Sequence, residues 1–129
     1  MATQSVKFAN VTIPANRVFY RRQNVFAMVV HNMILPGHIV LCLRQPDLRY
    51  AETSTHQLFD LTLAIKELTE VMHEAFTTQG LPISTTTILV DADRTGSLNQ
   101  LHVHLIPRRH NHNLTNAELD AKIDEFGQT

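Results

Sequence analysis

From Gln100 to Leu105 polar and apolar side chains alternate (Gln-Leu-His-Val-His-Leu), and Ile106, Pro107 and two arginines follow. Period two is the mark of a β-strand whose faces meet different surroundings. It sets Leu101, Val103 and Leu105 on one face and Gln100, His102 and His104 on the other. Side chains two apart on such a face stand roughly 6.5–7 Å from each other, so two imidazoles can hold one small polar group between them. A lone histidine on a sheet face is ordinarily solvated polar cover. Two on one face, between a Gly-Ser loop and Pro-Arg-Arg, mark a catalytic candidate. Pro107 cannot donate to a ladder, so the strand is expected to end there, with Arg108 and Arg109 placed to attract an anion.

The rest of the chain supplies a frame for that strand. Val18–Arg22, the turn Gln23-Asn24 and Val25–His31 read as a hairpin; Asn32–Gly37 connects it to a third strand, His38–Leu43, which Pro46 ends. Leu58, Leu61, Ile65, Leu68, Met72 and Ala75 or Phe76 recur every three or four residues. They predict a long helix capped by Thr53 or Ser54 and stopped by Gly80 and Pro82. That stripe should pack on Leu101, Val103 and Leu105, leaving His56 and His73 at the surface. Ser84–Val90 reads as a strand and Asp91–Ser97 as a loop facing the histidines. Thr115 to Glu118 reads as the cap of a short final helix with Leu119, Ile123 and Phe126 inward. Val6–Ile13 is an edge strand or a loosely held arm. The expected fold is α+β: about five antiparallel strands, one long helix and a short C-terminal helix, in a single domain over 1–129.

Composition narrows the function. At 129 residues, 43% hydrophobic and net charge −1, the chain is an ordinary globular one, with no charge excess that would suit nucleic acid or a membrane surface. The single cysteine, Cys42, rules out an internal disulfide and sits in an apolar run. No apolar stretch approaches membrane-spanning length and no secretion signal is visible, so a cytoplasmic setting is expected.

The motif Gln100-Leu101-His102-Val103-His104-Leu105-Ile106 resembles the His-φ-His-φ-His-φ-φ signature of the histidine triad nucleotide hydrolases and transferases, φ being apolar. Leu35-Pro36-Gly37-His38-Ile39-Val40 resembles the Pro-Gly-His strand entry of the same family. The likeness runs from about Phe19 to Arg108, and Ile-Pro-Arg-Arg is most similar to the fragile histidine triad branch, which cleaves dinucleoside polyphosphates. The resemblance implies a histidine triad (HIT) fold and a nucleotidyl-histidine intermediate. His102 would be the nucleophile, His104 a donor to phosphate oxygens that assists the leaving group, and His38 an orienting group. Ser97 would contact phosphate, and Gln100 and Asn32 would also bind the nucleotide.

It also implies a nucleotide substrate and a homodimer. No metal is required; magnesium could accompany the nucleotide. Two departures stand out. Gln100 replaces the first triad histidine and cannot carry a proton. Val30 stands where the family places the Asn or Asp that binds ribose, a part His31 or Asn32 could take if the strand bulges. Phe8, Ile13, Phe19 and Phe26 are candidate walls of a base pocket. Gln100 and Val30 also motivate a second reading, a nucleotide sensor with reduced or no catalysis. A third is a zinc site of His102, His104 and His38 or His110, weakened by the lack of an obvious nearby Cys, Asp or Glu.

Overall fold

A computed structural model describes residues 4–8, 11–30, 33–93, 99–109 and 114–126. Its centre is a five-stranded sheet built from β3 (Val18–Arg21), β4 (Val25–Val29), β5 (Ile39–Leu43), β6 (Thr85–Asp91) and β7 (His102–Arg108). The spatial order is β3-β4-β5-β7-β6, antiparallel throughout. Helix α1 (Thr55–Thr78) covers one face. Ser54 caps it by accepting from Gln57 N–H at 3.1 Å while the Gln57 side chain accepts from Ser54 N–H at 2.8 Å. Leu61, Ala64, Leu68 and Met72 face Val25, Ala27, Leu41, Leu43, Val103 and Leu105, forming the larger core. His56 and His73 are exposed, as the helical stripe requires.

The second face is covered by a two-stranded ribbon, β1 (Val6–Phe8) and β2 (Val11–Ile13), and by α2 (Asn116–Phe126). Val6, Phe8 and Ile13 bury themselves against Phe26, Met28, Val30, Val40 and Cys42. Leu119 and Ile123 settle on Leu35 and Ile106. The N-terminal alternating piece is therefore a hairpin of its own. The central strands β5 and β7 are buried along their whole length. Period two told the two faces apart; it could not tell that the polar one would be roofed, because both roofing elements lie far away in sequence.

Two boundaries also move. Pro107 lies inside β7, paired with Thr86 of β6. It is tolerated because β5 pairs only as far as Leu105, so beyond that point one flank of β7 needs no donor. Asp91, expected to open a loop, is the last residue of β6 and sits opposite His102. Gly37 has φ +90, and a Cβ there would come within 2.7 Å of Phe76 Cζ and 3.0 Å of Pro107 Cγ. Only glycine fits that corner without strain, and the corner delivers His38 to the mouth of β5.

A histidine cluster beneath two phenylalanines

Adjacent strands bring the cluster together. In the β5–β7 register, Val40 lies opposite His104 and Cys42 opposite His102. His38, just ahead of β5, reaches the same face. Its Nε2 lies 2.9 Å from His104 Nδ1. The His102 and His104 ring centroids are 5.0 Å apart. His38, His102 and His104 are all 0% exposed.

Hydrogen bonds to the backbone fix which nitrogens carry protons. Ile34 N–H donates to His38 Nδ1 at 3.1 Å, so that nitrogen holds a lone pair and the proton of a neutral His38 is on Nε2. His38 Nε2–H then donates to His104 Nδ1, which leaves the proton of a neutral His104 on its own Nε2. His102 Nδ1 lies 2.8 Å from the carbonyl oxygen of Gln100, which can only accept. His102 Nδ1 is therefore the protonated nitrogen, and Nε2 offers a lone pair. Burial, reinforced by the neighbouring His102, holds the His38 pKa down at about 4, which keeps the first link of the chain neutral. The outcome is a lone pair on one imidazole beside an N–H donor on the next, the pairing that attack on an electrophile with charge stabilisation demands.

Asp91 completes the cluster, and sequence reasoning missed it. Its Oδ2 lies 3.4 Å from His102 Nε2 and 3.9 Å from His104 Nε2, and the carboxylate is nearly buried. The signal was the end of the Thr-Thr-Thr-Ile-Leu-Val-Asp strand, but only the β6–β7 register puts that Asp opposite His102. Asp91, His102 and His104 offer ligand atoms within 4.8 Å of one another, supplying the acidic neighbour that the zinc reading lacked. The proton placed on His104 Nε2 would have to be displaced before that nitrogen could hold an ion.

Gln100 is 3% exposed, and its amide Nε2 donates to Leu43 O at 2.6 Å and Lys7 O at 3.1 Å, tying the sheet to the N-terminal ribbon. Ser97 and Asn32, like His31 and His110, fall outside the described residues. Arg108 and Arg109, expected to attract an anion, each have a contact within the chain. Arg108 donates to Thr87 Oγ1 and Leu114 O, and the Arg109 guanidinium lies 5.3 Å from the Phe76 ring centroid. Among the candidate pocket walls, Phe8, Ile13 and Phe26 share one cluster, whereas Phe19 is 51% exposed on β3. Burial pushes the Cys42 thiol well above its ordinary range, making it an inert part of that cluster. Among the described residues, no helix is long and apolar enough to cross a membrane.

A family model described as the HIT domain matches residues 12–111. A bis(5'-adenosyl)-triphosphatase of Dictyostelium discoideum is 26% identical over 98 residues, covering 75% of this chain and 63% of that protein. An asymmetrical bis(5'-nucleosyl)-tetraphosphatase of Schizosaccharomyces pombe is 30% identical over 94 residues, covering 73% of this chain and 50% of that one. The chain thus spans less than two thirds of either relative. The crystal structure of a Plasmodium falciparum diadenosine triphosphate hydrolase in complex with cyclomarin A superposes with a TM-score of 0.74. At 20% identity, over 95% of this chain and 83% of that one, this is a likeness of fold.

Proposed function

The chain belongs to the HIT domain family, and from that premise we propose that it is a nucleotide phosphohydrolase acting through a nucleotidyl-histidine intermediate. Dinucleoside polyphosphates such as diadenosine triphosphate are the substrate class, yielding AMP and a second nucleotide. The names of the relatives support that class, and the observation that carries the mechanism is the 2.8 Å contact from His102 Nδ1 to Gln100 O. A backbone carbonyl makes that contact whatever side chain stands at position 100. Replacing the first triad histidine by glutamine therefore leaves the nucleophile's tautomer intact.

In this reading His102 Nε2 attacks the α-phosphorus. A nitrogen–phosphorus bond forms, the phosphoanhydride bond breaks, and the second nucleotide departs as an anion. His104 Nε2–H donates to a phosphoryl oxygen, offsetting charge as it develops. The positive charge gained by the His102 ring is met by Gln100 O and by the Asp91 carboxylate. Water then cleaves the nitrogen–phosphorus bond and releases AMP. Ser97 and Asn32 are assigned to phosphate and ribose, and Gln100 contributes through its carbonyl.

We further infer that residues 1–129 act as one domain, in the cytoplasm, as a homodimer. An apolar groove lined by Phe19, Val29, Met33, Val71 and Phe76 supports the last point, and sedimentation at micromolar concentration tests it. The test of function is to incubate the protein with diadenosine triphosphate, diadenosine tetraphosphate and adenosine phosphoramidate, then identify products beside a folded His102→Asn variant. AMP release by the native protein alone supports the reading; equal release by the variant removes it. The Gln100 side chain, which cannot carry a proton and is committed to Leu43 O and Lys7 O, favours a second reading, a nucleotide sensor with reduced or no catalysis. AMP binding by calorimetry with no turnover of any of the three would select it.

A further inference from the structure

The three imidazoles, two of which meet a phosphate in the reading above, are sealed from solvent, and one ring lies against all three. The Phe126 centroid lies 4.8 Å from that of His104, edge-on at 86°, 6.0 Å from His102 and 6.1 Å from His38. Phe126 is itself partly exposed, so it stands between the imidazoles and the surface. On the opposite flank Phe8 meets His102 edge-on at 5.0 Å.

The two covers are held differently. The N-terminal ribbon buries Val6, Phe8 and Ile13 and is latched by Gln100 through Lys7 O. Helix α2 is anchored at its start, where Arg108 holds Leu114 O at 2.9 Å and Thr115 and Glu118 cap each other, and in its middle by Leu119 and Ile123. In its last turn Phe126 packs against the ribbon's cluster, but that turn has no basic residue and carries the exposed acids Asp124 and Glu125. Acidic charge at the negative end of a helix dipole weakens that turn. Eleven residues are also too few for a helix to persist without packing.

We propose that the last turn of α2 is a lid: Phe126 swings off the histidine cluster to admit a phosphorylated ligand and closes back over the imidazoles to keep water from them. The anchored first half of α2 is the fixed leaf, and the acid-bearing turn is the moving one. This deepens the phosphohydrolase reading and rests on it for the ligand, though not for its test.

That test uses the full chain and diethylpyrocarbonate, which labels accessible neutral imidazoles, with peptide mass spectrometry to assign each site. His56 and His73, both exposed, are internal references. In the native protein His102, whose Nε2 carries the lone pair, should label at least about tenfold more slowly than His56, since the open state is a minor one. Phe126→Ala should remove most of that gap. Glu125→Lys, which strengthens the last turn, should widen it, and this second variant does not depend on losing a core ring. Amide exchange of β7 is followed in parallel. Native labelling of His102 as fast as that of His56 overturns the lid. So does an unchanged rate in Phe126→Ala, or a rise that appears only together with lost β7 protection. Labelling needs no turnover, so a protein inactive on nucleotides can still establish the lid, and an active one can still refute it.

Discussion

Lowering the pH from 7.5 to about 5 destabilises this fold through His38. In an unfolded chain that imidazole binds a proton near 6.5; in the folded protein burial and the neighbouring His102 hold its pKa at about 4. Between those values the unfolded state binds more protons, so stability is fully present above 6.5 and is lost progressively as the pH falls toward 4. Integrating that difference in proton uptake gives a loss of about 2 kcal/mol by pH 5.

The perturbation that isolates it is His38→Gln, whose amide can still accept from Ile34 N–H and donate to His104 Nδ1 but does not titrate. Urea unfolding of both proteins at the two pH values cancels the contributions of the titratable groups that do not touch His38. The native protein should lose about 2 kcal/mol more than the variant across the interval. Equal losses, or an NMR titration placing His38 near 6.5, would refute the neutral relay and with it the protons assigned to His104.

Three further outcomes follow from the geometry. Gly37→Ala should cost about 1–3 kcal/mol from φ +90 alone, with more from the approach to Phe76 and Pro107; thermal unfolding checks it, and an unchanged melting temperature contradicts it. Gln100→Leu strands Leu43 O and Lys7 O, which should cost about 1–3 kcal/mol and speed proteolysis ahead of β3; unaltered stability and cleavage would show that the latch carries nothing. Asp91→Asn removes a carboxylate 3.4 Å from His102 Nε2. It should tighten AMP binding by about 1–3 kcal/mol in calorimetry while slowing formation of the covalent intermediate; binding and rate moving together would count against the two roles assigned to it.

The histidine strand was legible because alternation is a local signal and Leu101, Val103 and Leu105 had one obvious partner in the α1 stripe. Gly37 was legible as part of the strand entry, though its positive φ was not. What escaped depends on register and on distant packing. Asp91 joins the cluster only because β6 and β7 pair with it opposite His102. Phe8 and Phe126 cover the site from opposite ends of the chain, and no window of sequence contains both. Gln100 looked like a damaged triad position, yet its carbonyl acts on His102 while its amide serves the N-terminal ribbon. Arg108, read as an anion ligand, is a strut to Leu114. A guanidinium near a strand end satisfies a carbonyl as readily as a phosphate.

The most direct measurement is to quench the protein during turnover of labelled diadenosine triphosphate and map the adenylyl group. A phosphorus–nitrogen bond to His102, stable to base, labile to acid and absent from His102→Asn, is the result this account predicts. AMP released without any protein-bound adenylate, or an adduct on another residue, would contradict it.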